Sequence, residues 1–136
     1  MVAVGGLIPY RGNERATGAS ERTSEMEYEK HRIVQSRGPA IEFEGRLLAS
    51  DSFEVRRDGT AMTLEVWETQ GGALIAVTRG EAVQRGEVRE IVAAAVVPQG
   101  DEQAMRFAVM DHFDWSDRAR SMVRKQLKWS LKQVVE

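Results

Sequence analysis

The chain has 136 residues, 42% hydrophobic and 29% charged, with 19 basic and 21 acidic side chains and a net charge of −2. That is the composition of one ordinary globular domain, long enough to bury a core without staples, and it indicates neither a disordered nor a membrane class. The absence of cysteine excludes disulfides, thiolate catalysis and cysteine-ligated zinc, and no apolar run approaches the roughly 20 residues that span a bilayer.

Residues 1–39 are polar and poor in periodic apolar positions, and read as a flexible or partly helical N-terminal arm ahead of a single α+β domain over 40–136. Val2–Tyr10 has neither the basic leader nor the apolar length of a signal peptide, so the expected compartment is the cytoplasm. Ser24-Glu25-Met26-Glu27 has the spacing of a capping box and predicts a short helix to about Gln35, using Met26, Ile33 and Val34 as apolar contacts. The same stretch alternates well enough to be a strand.

Gly38-Pro39 breaks the arm, and from Ala40 the period becomes two, with Ile41, Phe43 and Leu47 apolar between charged neighbours. Gly45 interrupts the alternation and Leu47-Leu48 point to opposite faces, the pattern of a bulge or bend. The strand resumes at Phe53 and Val55, and Arg57-Asp58-Gly59 makes the next turn. Ala61–Arg79 then reads as a β-hairpin about Gly71-Gly72. A two-residue loop would set Trp67 against Ala76 and Val66 against Val77, gathering Leu64, Val66, Ile75 and Val77 on one face and Glu65, Trp67, Thr69 and Ala76 on the other. Gly80–Gly86 is a connection, and Val88–Val97 is a fourth strand whose Val92–Val97 run, apolar on both faces, needs cover on both sides.

Asp101 opens helical sequence, with acids in the first turn and Ala104, Met105, Phe107, Ala108 and Val109 on a wide apolar arc ending near Phe113. Asp114 and Ser116 are cap residues for a second helix. From Ser116, Ala119, Met122, Val123, Gln126, Leu127, Ser130, Leu131 and Val134 follow an i, i+3/i+4 stripe to about Val134, a helix about 28 Å long bordered by Trp115 and Trp129. The expected fold is an antiparallel β-meander of about four strands followed by two C-terminal helices packed on one sheet face.

Three constellations bear on function. Every charged residue from Arg118 to Lys132 is positive, namely Arg118, Arg120, Arg124, Lys125, Lys128 and Lys132. On a helical wheel they oppose the apolar stripe, as contacts to phosphates require, and as a solvated outer face also looks. Trp67, with Glu65 and Thr69, lies on the mixed face of the hairpin, where an indole serves either as a protein-binding anchor or as core. Asp111-His112-Phe113-Asp114 does not make a metal site, because adjacent helical residues point about 100° apart; His112 and Asp114 are better read as satisfying helix ends. Glu68-Thr69-Gln70 with Asp58 has the outline of a metal-dependent nuclease, but it runs into the Gly-Gly turn, and no lysine lies between Lys30 and Lys125. Nothing matches a nucleophile elbow, a P-loop or a dinucleotide fingerprint. No cofactor, metal or catalytic residue is implied.

Phe43-Glu44-Gly45-Arg46-Leu47-Leu48-Ala49, followed by Leu64-Glu65-Val66-Trp67-Glu68-Thr69-Gln70-Gly71-Gly72, resembles the strand–turn–strand portion of the bacterial EXLDI-type small proteins. The likeness covers about residues 41–79, without an N-terminal ribbon-helix-helix signature or a closing Glu-x-Leu-Asp-Ile. It implies an accessory protein of a plasmid or other mobile element and transfers no catalytic residue. The first expectation is therefore a non-enzymatic protein-binding module acting through the arm and the uncovered sheet face, which a partner or a homodimer would cover. The second is a nucleic-acid-binding regulator using the cationic side of the last helix.

Overall fold

A computed structural model describes residues 27–54, 60–133 and 135. The arm upstream of Glu27, the Ser24 capping box, Val55, the Arg57-Asp58-Gly59 turn and Val134 lie outside the described residues. Within them the chain forms β1 (Glu29–Ile33), β2 (Ile41–Glu54), β3 (Ala61–Thr69), β4 (Leu74–Gln84), β5 (Glu87–Val97), α1 (Glu102–His112) and α2 (Asp117–Gln126). The strands make one antiparallel sheet in chain order, so the architecture is the α+β meander with two C-terminal helices, built on five strands rather than four.

The additional strand is β1. Of the two readings of that stretch the strand is the one formed, because Glu29 to Ile33 pair with Gly45 to Ile41, a long-range ladder that a capping box seen in isolation cannot anticipate. The boundary drawn at 39/40 therefore falls inside the sheet.

β2 is a single strand of 14 residues, and its register against β3 shifts between Leu47 and Ala49. The bulge expected at Leu47-Leu48 is there. Its extra residue lets both Leu48 and Ala49 join the core beneath the helices.

The β3–β4 hairpin departs from the expected register by one residue. Trp67 pairs with Ile75, Val66 with Ala76 and Glu65 with Val77. The turn uses Gln70, Gly71 and Gly72: the Thr69 N–H donates to the Ala73 carbonyl at 2.8 Å, and the Gly72 N–H donates back to the Thr69 carbonyl at 2.9 Å. Gly72 takes φ +93°, which makes a three-residue loop of the kind that ends in a left-handed glycine. The Ala73 N–H also donates to the Thr69 hydroxyl at 3.0 Å, giving the longer loop a bond that a two-residue loop would lack. A one-residue slip exchanges faces, so Leu64 and Val66 share theirs with Leu74 and Ala76, while Glu65 and Trp67 share theirs with Ile75 and Val77.

The expected connection at Gly80–Gly86 is mostly strand. β4 runs to Gln84, and Arg85 (φ 53°) and Gly86 (φ 79°) alone make the turn into β5, two positive φ values in succession as a type I′ hairpin needs.

β1 and β5 are the two edges of the sheet, yet the chain just after β1 meets β5. The Ser36 N–H donates to the Val92 carbonyl at 2.9 Å, the Val92 N–H to the Ser36 hydroxyl at 2.8 Å and the Ala94 N–H to the Gln35 side-chain oxygen at 3.1 Å. The sheet therefore curls until its edges approach. Its inner face encloses Ile33, Ile75, Val77 and Val92, with Ile41, Phe43, Trp67 and Ala94 packed against them.

The outer face carries the larger core. Ala49, Leu64, Val66, Leu74, Ala76 and Val97 of the sheet pack on Val109, Met110 and Phe113 of α1 and its end, on Ala119, Met122 and Val123 of α2, and on Trp129 beyond it. Asp101, the expected start of helical sequence, caps α1 by accepting from the Ala104 N–H, and Ser116, an expected cap residue, caps α2 by accepting from the Ala119 N–H. α2 stops at Gln126 rather than near Val134. Lys128 turns the chain at φ +58° and the Trp129 N–H donates back to the Val123 carbonyl at 3.2 Å, which drops the indole into the core. The Gln126 amide meanwhile holds both the N–H and the carbonyl of Ser50, at 3.2 and 2.8 Å, satisfying the β2 edge where β1 has ended.

Candidate functional site

The three hairpin residues singled out as protein-binding candidates have internal roles. Trp67 packs on His31 at a tilt (ring centroids 4.5 Å apart, planes at 54°) and meets Phe43 edge-on at 5.6 Å on the inner face of the curled sheet. Its indole N–H donates to Glu65 at 2.9 Å, and the other Glu65 oxygen takes Arg79 at 3.2 Å. The Glu65 side chain is 15% exposed, and a carboxylate so enclosed needs these donors. Thr69 holds the hairpin turn. The inner face thus holds a second, smaller core of Ile33, Ile75, Val77 and Val92, with half-buried Trp67 and a paired carboxylate at its margin.

Glu65 and Glu68, three residues apart on one strand, point to opposite faces. Glu68 accepts from the Tyr28 hydroxyl at 3.0 Å and from Arg46 at 3.1 Å, so the two carboxylates do not converge, and Asp58 lies outside the described residues. Among the described residues no group of three or more His, Asp or Glu could hold a metal ion, and no helix is long and apolar enough to cross a membrane.

Both histidines are tied to the fold. His31 bonds the Gly45 carbonyl through Nε2 at 3.0 Å, and His112, at the end of α1, meets the Thr78 hydroxyl at 3.2 Å. Burial pulls each imidazole below its ordinary 6.5. Opposing that, the Gly45 hydrogen bond and the charges of Glu29 and Glu65 act on His31, and a hydrogen bond to the Ala93 backbone and the charge of Asp114 act on His112. The lowered folded values mean that the unfolded chain takes up protons first as pH falls below 6.5. The stability present above 6.5 is therefore lost as pH falls through the folded values. Urea midpoints are expected to drop between about pH 7.5 and about pH 5.5, and to drop less in a His112→Asn variant.

The cations of the last segment divide into two groups. Arg118 is committed to the sheet: it pairs with Asp51 at 3.1 Å and lies over the Phe53 ring at 4.3 Å. No local signal foretells that bond, because its partners are more than 60 residues upstream. Arg120, Arg124 and Lys125 project from the outward half of α2, opposite Ala119, Met122 and Val123, and Lys128 and Lys132 continue on the non-helical chain beyond it. All five are exposed, and no ion pair forms on any of them among the described residues. Lys132 is anchored through its backbone, where Gln103 Nε2 donates to its carbonyl at 2.7 Å, and Arg106 of α1 lies over the Trp129 ring. The expected single cationic helix face is thus one outward helix face with an ordered tail docked beside α1.

The segment that resembles the EXLDI-type proteins forms β2 and the β3–β4 hairpin, which carry the scaffold rather than these cations. No family model, no curated protein and no solved structure matches the chain.

Proposed function

We propose that the protein is a nucleic-acid-binding module that grips phosphates with Arg120, Arg124, Lys125, Lys128 and Lys132. The observation that carries this reading is five exposed cations over 13 residues, from position 120 to 132, without an acid among them, in a chain whose net charge is −2. Elsewhere the fold does pair exposed charge, as in Arg32–Glu42 at 2.6 Å. Unpaired cations held by ordered backbone release condensed counterions when they meet a phosphate chain, and that release drives association. Among the described residues no exposed aromatic ring lies beside these cations on which a base could stack, so the contacts serve affinity rather than base readout.

Binding to duplex DNA or RNA is expected to weaken steeply with salt. The Arg124→Glu/Lys125→Glu/Lys128→Glu variant should lower the slope of log K against log salt by about 3, at about 0.9 per lost phosphate contact. These three side chains are exposed, so its urea midpoint should stay close to that of the unsubstituted chain. Fluorescence anisotropy across salt concentrations checks this. Absence of binding at about 20 mM salt, or a slope unchanged in the variant, would sink the proposal.

A further inference from the structure

We infer that the outer edge of the β4–β5 hairpin is a self-association surface, on which β5 of a second copy pairs antiparallel about Val88. β5 exposes a free backbone edge there. Val92 and Ala94 direct their N–H groups away from β4, toward Ser36 and Gln35, and by strand alternation Val88 and Glu90 direct theirs to the same side. Among the described residues no partner meets them. β3 pairs with β4 only as far as Gly80, whereas β4 and β5 pair on to Gln84 and Glu87. The hairpin therefore extends past the last β3–β4 pair.

The residues on this edge are self-complementary in one register. A two-fold axis normal to the sheet keeps its faces, so it must lie midway between the two copies of one residue, and with Val88 opposite its own copy Glu87 of each chain opposes Arg89 of the other. The same operation about Arg89 or Glu90 sets like charges against each other, and about Val92 it meets the position Ser36 already fills. Val83 pairs with Val88 across the hairpin, and these two valines are 53% and 62% exposed. The dimer would align them as a continuous row of four valines on one face, with two Glu87–Arg89 pairs on the other. An edge strand open to solvent is a template for a further strand. The occupant fitted by charge and side chain alike is this chain itself.

Sedimentation velocity over a range of protein concentrations is expected to show a reversible monomer–dimer equilibrium. Glu87→Arg alone and Arg89→Glu alone, each of which faces like charges across the axis, should raise the dissociation constant about tenfold. The double variant Glu87→Arg/Arg89→Glu restores opposite charges and should recover the dimer. Because the chain has no cysteine, a Val88→Cys variant should form an intermolecular disulfide on mild oxidation, whereas Val34→Cys, at a position 60% exposed elsewhere, should not. A chain monomeric at every concentration, with the Val88 and Glu90 amides protected from exchange, would mean that another part of the same chain covers the edge, and would overturn the inference. So would a dimer indifferent to both single charge reversals.

Discussion

A Gly45→Val variant is expected to lose about 3 kcal/mol of stability, the upper end of what overpacking usually costs. A Cβ at position 45 would lie 2.5 Å from the Glu68 carbonyl oxygen and 2.8 Å from the Phe43 ring. Both contacts are below what real Cβ atoms tolerate, and the nearer one is backbone that cannot rotate aside. Gly45 is also where β2 passes from pairing with β1 to pairing with β3, being the partner of both Glu29 and Thr69. Its carbonyl holds His31. Displacing it therefore loosens the β1 ladder and the inner core together. Gly71→Ala is the control: its nearest neighbour is a hydroxyl at 4.0 Å, and it should shift the urea midpoint little. Equal midpoints for Gly45→Val and the unsubstituted protein would contradict the packing described for β2.

Ile75→Ala is expected to cost about 3 kcal/mol, within the usual range for truncating a buried isoleucine. Ile75 is 1% exposed, and among the described residues no helix covers its side of the sheet; its neighbours are Ile33, Val77 and Val92 across the curl. The result separates two views of the inner face. A surface awaiting a partner would leave the stability of the isolated chain almost unchanged on truncation, whereas a core must pay the lost transfer energy and the cavity left behind. Met110→Ala, in the core between helices and sheet, is the comparator and should cost a similar amount. A loss below about 1 kcal/mol for Ile75→Ala, beside a large loss for Met110→Ala, would return the inner face to the list of candidate binding surfaces.

Where local patterns carried their own physics, the fold was legible. The alternation through Ile41 and Phe43, the doubled Leu47-Leu48 and the cap residues Asp101 and Ser116 gave the β2 bulge and the start of both helices. The hairpin at Gly71-Gly72 was legible in place but not in register, because a glycine pair serves two-residue and three-residue loops alike. The Thr69 hydroxyl on the Ala73 N–H belongs to the longer one. The end of α2 was not legible, since Leu127, Leu131 and Val134 continue the i, i+3/i+4 stripe past Gln126. Only the docking of Trp129 into the core and the capture of Gln126 by the β2 edge take the chain out of the helix.

The candidate surfaces divide in the same way. The run of cations from Arg118 to Lys132 is a property of the sequence, and the sequence alone marks it out. Which of those cations remain available is not, for Arg118 is taken by Asp51 and Phe53 of β2. Trp67 and Glu65 likewise stood out as residue types, and only the packing brings them, half-buried, together with His31, Phe43 and Arg79.

By itself the sequence determined the strand and helix inventory from Ile41 onward, the caps and the clustering of charge, because those depend on neighbours within about a turn or a hairpin. The fifth strand, the hairpin register, the curl that brings Ser36 to Val92 and the two opposed cores were decided only in the tertiary structure. Each depends on contacts between segments tens of residues apart, and their free energy appears only when the whole sheet has closed.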